Sequence, residues 1–129
     1  MDIMNEISAE RFGEVDDFLA FVSIYDDEQR VAGYEKMLYA NREFIRGSVC
    51  VEAGCGFGIF SEYLAHLGAR KVYAIEANPL LFKVATERLH ALENVEVLQM
   101  DIRDFKPPEP VDVLVQEFFG QLLYDEDIF

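Results

Sequence analysis

The strongest chemical signal in the sequence is a segment of alternating glycines, Glu52-Ala-Gly-Cys-Gly-Phe-Gly58, which directly follows a short apolar run. At Gly54, Gly56 and Gly58 a side chain would obstruct the close approach of a ligand or forbid the required φ. The dinucleotide-binding pattern GxGxxG would need a glycine where this chain has Ile59. The spacing instead suits a ligand that has an amino acid part and no pyrophosphate. We expect Glu52 to face the ammonium group of that ligand or an attendant water.

Two more acids follow apolar runs further along the chain. Glu76 ends the second run, 20 residues beyond Gly56, where an acid accepts hydrogen bonds from both ribose hydroxyl groups. Asp101 follows the third run, so its carboxylate could accept from an adenine amino group while the backbone N–H of Ile102 meets a ring nitrogen. Each acid alone has an ordinary explanation as a strand end or a helix cap. Their joint arrangement predicts a site for S-adenosylmethionine, with S-adenosylhomocysteine as product.

The composition of the 129-residue chain suits one domain, and its net charge of −14 restricts its partners. An acidic surface repels phosphate backbones, so binding of nucleic acid by this chain alone is disfavoured, whereas cationic partners are attracted. Charge interrupts every apolar stretch before the ~18 residues of a membrane span, and the acidic start is unlike a signal peptide. Cys50 and Cys55 form no disulfide framework or metal-binding pattern. We therefore expect a cytoplasmic protein without membrane association or a metal site.

The spacing of apolar residues predicts alternating helices and strands. Two N-terminal helices are expected, over residues 8–22 and 27–46. Short apolar runs predict four buried strands, over residues 49–53, 71–75, 95–99 and 111–115. A helix is expected over 59–67, ended by Gly68, and another begins at Asn78-Pro79, with the asparagine as its N-cap.

This alternation is typical of an α/β fold in which a parallel sheet carries helices on both faces. We expect a single domain with a Rossmann-like fold and strand order 3-2-1-4, truncated after the fourth strand. It would comprise a helical segment over 1–47, a core over 48–116 and a loop over 117–129. Ligands of such sheets bind beyond the carboxyl ends of the strands, where the strand order reverses, and the glycine segment lies there.

The stretch from residue 49 to residue 78, which contains the glycine segment, resembles the cofactor-binding half of the protein arginine methyltransferases. Upstream, Arg30-Val-Ala-Gly-Tyr34 resembles the family's helix segment in which an arginine reaches the carboxylate of the cofactor. Asn41-Arg42 is similar to a recurring pair in the same family. The resemblance implies a class I methyltransferase fold, and it implies that Arg30 binds the cofactor.

The resemblance continues downstream, where residues 116–126 are similar to the family's double-glutamate loop, with Glu117 and Glu126 nine residues apart. It implies that these two glutamates are the catalytic residues and that the acceptor is a nitrogen, that of arginine in a protein or peptide. Methyl transfer from a sulfonium is an in-line displacement, so positioning of the nucleophile dominates its rate. Two carboxylates can fix the plane of a guanidinium and draw positive charge away from the attacking nitrogen.

The chain also departs from the family's pattern. The N-terminal tyrosine-rich motif is not clear, strands five to seven are not seen, and neither His66 nor His90 matches the catalytic histidine of the family's β-barrel. Two other functions therefore stay open: a cofactor-binding or assembly module without catalysis, and a methylase of RNA or a small molecule. An apolar fourth strand at the edge of the sheet further predicts a homo-oligomer, or completion of the fold by another chain.

Overall fold

The computed structural model describes residues 28–116, in which four strands alternate with helices. The helices are α1 (Glu28–Ala40), α2 (Arg42–Ile45), α3 (Ile59–His66) and α4 (Pro79–Leu89), with a short 3-10 helix at Ile102–Asp104. The strands are β1 (Val49–Ala53), β2 (Lys71–Glu76), β3 (Val95–Gln99) and β4 (Val113–Gln116). The helix expected over 8–22 and the loop expected over 117–129 lie outside the described residues.

The strands of the described region form one parallel sheet in the order β3-β2-β1-β4, which confirms the predicted α/β class and topology. β1 lies in the interior, where Glu52 is opposite Ala74 of β2 and Val115 of β4. All five residues of β1 are buried. A strand covered on both faces has no solvent side, and its sequence is therefore a nearly continuous apolar run.

Helices cover one face of this sheet. Buried residues of the first three helices pack with Val72 and Val115; they are Leu38, Ile45, Phe60 and Leu64. Beside them, Ala85 and Leu89 of α4 pack against Ala74. No helix in the described part of the chain is long and apolar enough to cross a membrane.

Within residues 28–116, the opposite face is covered by an irregular connection and not by a helix, which differs from the prediction of helices on both faces. Val51 and Tyr73 pack there against Ile102 and Phe105, which belong to the connection between β3 and β4. Apart from its short 3-10 helix, this connection is irregular. Pro107, Pro108 and Pro110 explain the difference, because proline lacks the N–H and the backbone freedom that a helix needs.

Two predicted boundaries shift for local reasons. The helix expected over 27–46 is divided at Asn41, whose side-chain amide donates to the carbonyl of Met37, a contact that competes with the helical backbone. β4 begins at Val113, two residues after the expected start, because the Asp112 carboxylate accepts from the N–H of Val49 at 2.9 Å in place of a strand carbonyl.

Candidate functional site

The glycine segment is a tight turn between β1 and α3, at the carboxyl edge of the sheet. Gly54, Gly56 and Gly58 all have positive φ, of 67°, 58° and 82°. The Cys55 N–H donates to the carbonyl of Ile75 at 2.8 Å, and the Gly58 N–H donates to the carbonyl of Cys55 at 2.8 Å. The turn is thus folded back on itself and bonded to the end of β2.

The glycines serve different purposes within this turn. A Cβ atom at Gly54 would have no atom within 4 Å, so this position opens on space that a ligand could enter. A Cβ atom at Gly58 would lie 2.6 Å from Cδ1 of Leu89, which is fully buried in α4. Of the two reasons expected for a glycine here, the positive φ holds at Gly58, and its lack of a side chain also allows the turn to pack on α4.

Glu52 is buried, and its carboxylate caps α3. Its Oε1 atom accepts from both the backbone N–H of Ser61 at 3.0 Å and the Ser61 hydroxyl at 2.7 Å. Gly58, the N-cap residue of this helix, has no side chain for the purpose. The glutamate of the preceding strand therefore supplies the oxygen, and its negative charge lies favourably at the helix N-terminus.

Glu76 is also buried, at the end of β2, and both of its oxygens bind backbone amides. Oε1 accepts from the N–H of Gly56 at 2.9 Å, and Oε2 accepts from the N–H of Asn78 at 2.8 Å. Asn78 in turn caps α4, as predicted, by accepting from Leu80 and Leu81. The carboxylate therefore joins the glycine turn to the start of α4. An ionised carboxylate accepts about four hydrogen bonds, so this arrangement is compatible with a ribose diol as a further donor.

Asp101 and Ile102 lie at the same edge of the sheet, after β3. The Asp101 carboxylate caps the 3-10 helix through the N–H of Arg103 and forms an ion pair with the guanidinium of that residue. Hydrogen bonds from the Arg103 side chain and backbone lower the pKa of Asp101. Ile102 is the first residue of the 3-10 helix, where amides have no partner within the helix. A bond from Asp101 to an adenine amino group would therefore compete with Arg103.

Cys55 lies in the turn, in an environment that disfavours the thiolate, which is the nucleophilic form of the side chain. Burial raises the pKa of its thiol well above the usual value, and the nearby charges of Glu52 and Glu76 raise it further. The thiol therefore stays protonated at neutral pH. Among residues 28–116, no three His, Cys, Asp or Glu side chains are grouped so as to hold a metal ion.

The structure thus brings Glu52, Gly54, Gly56 and Glu76 together around one turn. Glu117, Glu126 and the side chain of Arg30 lie outside what the structure describes. Two site residues were missed by reasoning from the sequence. Ser61 pairs with Glu52, and Arg88 of α4 donates to the carbonyl of Phe57 within the turn. Ser61 is nine residues from Glu52 and Arg88 is 31 residues from Phe57, and neither separation is one that helix or strand periodicity would pair.

Comparisons with known proteins identify the family of the chain. A family model described as a methyltransferase domain matches residues 50–128. The chain is 37% identical over 106 residues to protein arginine N-methyltransferase PRMT10 of Oryza sativa subsp. japonica, a match that covers 80% of this chain and 28% of that protein. The chain spans less than a third of the length of this and the other curated relatives that it matches.

Two solved structures are similar in fold. One is protein arginine methyltransferase 10 of Arabidopsis thaliana in an open conformation, with a TM-score of 0.70 and 32% identity over 77% of this chain and 29% of that chain. The other is the Trypanosoma brucei PRMT1 enzyme–prozyme heterotetramer with AdoHcy, with a TM-score of 0.75 over 81% of this chain and 33% of that chain; at 24% identity it bears on the fold alone.

The family model covers more than half of the chain, and the sheet order is that expected of a methyltransferase fold. The chain therefore belongs to the methyltransferase domain family, in its class I S-adenosylmethionine-dependent form, and resembles the protein arginine methyltransferases.

Proposed function

We propose that this chain binds S-adenosylmethionine and forms the donor half of a methyltransferase that acts on arginine in protein. The observation that carries the donor site is the hydrogen bond from the Gly56 N–H to the buried Glu76 carboxylate. It places an acid at the end of β2 directly against the glycine turn. This is where an acid of an open α/β sheet binds the ribose of a nucleotide cofactor.

The residues at this edge suit the chemistry of such a ligand. Glu52 and Glu76 bring two carboxylates to the turn, and a low-dielectric setting strengthens their attraction for a cation. S-adenosylmethionine has an ammonium and a sulfonium, and when bound it supplies a methyl group activated for displacement. Gly54 leaves the approach to the turn open. In this proposal Arg30 binds the carboxylate of the donor, and Asp101 and Ile102 hold its adenine.

The arginine acceptor is proposed from the curated relatives and from the double glutamate of the sequence. Glu117 directly follows Gln116, which is opposite Ala53 in the sheet, so the chain leaves β4 beside the start of the glycine turn. Glu117 and Glu126 would hold the guanidinium plane through paired hydrogen bonds. Their function is to orient the nucleophile, which is the dominant requirement for an in-line displacement.

Titration calorimetry with S-adenosylmethionine and S-adenosylhomocysteine tests the donor site. We expect binding by the wild-type chain and a loss of at least tenfold in affinity for Glu76→Ala, because the ribose loses a charged acceptor. Glu93→Gln is the matched control, since Glu93 is exposed in the turn after α4 and its replacement also removes one negative charge. A folded wild-type protein that binds neither compound would refute the proposal.

Transfer of a radiolabelled methyl group tests the acceptor. We expect labelling of an arginine-rich peptide and none of RNA, because the net charge of −14 disfavours a phosphate backbone. Glu117→Gln should abolish labelling while donor binding persists, and Glu93→Gln serves as the charge-matched control. Labelling of RNA instead would point to a nucleic-acid methylase. Binding without transfer to any acceptor would point to a non-catalytic module.

We also propose that two copies of the chain associate through β4. Within residues 28–116, β4 pairs with β1 alone, and its outer side borders a groove of about 310 Å³ between β4 and the first two helices. Three large apolar side chains beside it are more than half exposed: Met37, Phe44 and Leu114. A second β4 related by a two-fold axis would satisfy the same edge on both copies. Among the described residues that line the groove, Asp112 is the only carboxylate, and its bond to Val49 limits local repulsion.

Light scattering on the purified chain over a range of concentrations tests this association. We expect the mass of a dimer for the wild type and of a monomer for Leu114→Lys, because a lysine on a strand edge opposes pairing. Ala91→Lys adds the same charge at an exposed site after α4 and should stay dimeric. A wild-type chain that is monomeric at high concentration would refute dimerisation.

A further inference from the structure

The far end of the glycine turn is held by a residue that is distant in the sequence. Arg88, in the last turn of α4, donates from Nη1 to the carbonyl of Phe57 at 2.8 Å, and its Nη2 lies 3.2 Å from Oε2 of Glu62 in α3. The guanidinium therefore joins three elements: the turn, the start of α3 and the end of α4. About a third of each charged side chain is exposed, so the contact is open to solvent.

The Arg88 contact adds to the restraints that the N–H groups of the turn provide. Gly56 and Cys55 donate to Glu76 and to the carbonyl of Ile75, respectively. Glycines gain more freedom than other residues when such restraints are lost, and this turn has three within five positions. Because the peptide unit is planar, the bond from Arg88 to the Phe57 carbonyl and the bond from the Gly58 N–H to the Cys55 carbonyl restrain the same peptide from its two sides.

We propose that Arg88 is a positioning residue for the donor site: it holds the Phe57–Gly58 peptide in the orientation that the bound cofactor requires. The inference rests on the proposed binding of S-adenosylmethionine at this turn. Arg88 need not contact the ligand. It acts by keeping the turn in its binding-competent conformation, and a smaller population of that conformation weakens the apparent affinity in proportion.

Calorimetry with S-adenosylhomocysteine on four variants tests the proposal. We expect Arg88→Ala to weaken binding by about five- to tenfold, as for loss of one charge-assisted hydrogen bond, and Arg88→Lys to restore part of it. Glu62→Gln removes the ion pair but leaves the Phe57 contact, so its affinity should stay within about twofold of wild type. Lys83→Ala removes an exposed cation from the same helix and should likewise have no more than about a twofold effect.

Amide hydrogen exchange in the ligand-free protein separates local positioning from general destabilisation. In Arg88→Ala we expect faster exchange at Gly56 and Gly58, with unchanged exchange at Val72 and Ala74 in the sheet. Faster exchange throughout would show a merely structural role and overturn the proposal. If Arg88→Ala does not fold, Arg88→Lys and Arg88→Gln provide the same comparison.

Two binding results are distinguishable. Wild-type binding with an unchanged affinity in Arg88→Ala overturns the role of Arg88 alone, as does an equal loss in Lys83→Ala. Failure of the wild type to bind refutes the proposed donor site, and it overturns the positioning role with it, because that role is defined by the ligand.

Discussion

Glu52 and Glu76 are buried carboxylates on neighbouring strands, and replacing either by glutamine removes one charge with almost no change in volume. Their hydrogen bonds differ in one respect. The N–H and the hydroxyl of Ser61 bind the same oxygen of Glu52. The N–H groups of Gly56 and Asn78 bind different oxygens of Glu76. The amide of glutamine can reproduce the first arrangement but not the second.

The expected losses in the free energy of unfolding follow from this difference in hydrogen bonding. In Glu52→Gln the amide oxygen keeps both bonds from Ser61, and the charge lost near the N-terminus of α3 contributes about 0.3–1 kcal/mol. In Glu76→Gln the NH₂ group must face either Gly56 or Asn78, so one bond to a charged acceptor is lost and a buried donor is left without its partner. We expect Glu76→Gln to lower the free energy of unfolding by about 2–3 kcal/mol.

Equilibrium unfolding in urea, in the absence of ligand, measures both values. The slope of the free energy against urea concentration should be the same in both variants, so that the midpoints report stability alone. Glu93→Gln again provides the charge-matched control and should differ from wild type by no more than about 0.5 kcal/mol. Equal losses for Glu52→Gln and Glu76→Gln, or the larger loss for Glu52→Gln, would refute the reasoning from shared and separate oxygens.

Three further predictions concern the same region and the connection behind it. Gly58→Ala should lower the free energy of unfolding by about 2–4 kcal/mol, because its Cβ would overlap Leu89 and its φ is positive. Gly54→Ala should lower the free energy of unfolding by about 1–2 kcal/mol and mainly weaken donor binding. Urea unfolding measures the effect on stability, and calorimetry measures the effect on binding. Asn78→Ala should lower the free energy of unfolding in urea by about 1 kcal/mol, because α4 loses its N-terminal cap. Hydrogen bonds from Arg70 and Tyr73 lower the pKa of Glu109 in the folded protein. The carboxylate therefore stabilises the fold fully above its unfolded pKa of about 4.3, and this stabilisation is lost as pH falls through the lower folded pKa. The difference in unfolding free energy between wild type and Glu109→Gln should therefore be constant above about pH 5.5 and shrink in acid; a difference that grows in acid would contradict the assignment.

The features that could be predicted from the sequence are those that depend on neighbours in the chain. The order of strands and helices follows from apolar runs and their spacing, and Asn78-Pro79 marks a helix start because cap and first-turn preferences are local. The glycine turn is also predicted from a local signal, the spacing of its three glycines. Its three positive φ values confirm the conformational part of that prediction.

The features that could not be predicted join distant residues. A side chain at Gly58 would overlap Leu89, which lies 31 positions later. The N-terminus of α3 is capped by Glu52 of β1 and not by the residue that precedes the helix. The irregular connection before β4 is a different case, because its three prolines were visible and argue against a helix on that face of the sheet.

The two acids that define the candidate site also hold the fold around it, and this affects how binding data on variants are interpreted. Glu76 restrains the turn through Gly56, so Glu76→Ala removes both a partner for the ribose and a restraint on the turn. Arg88→Ala is expected to loosen the turn from its other end without altering any ligand contact. The loss of affinity in Glu76→Ala beyond that in Arg88→Ala therefore bounds the contribution of the ribose contact. Equal losses in the two variants would mean that Glu76 acts on the ligand only through the shape of the turn.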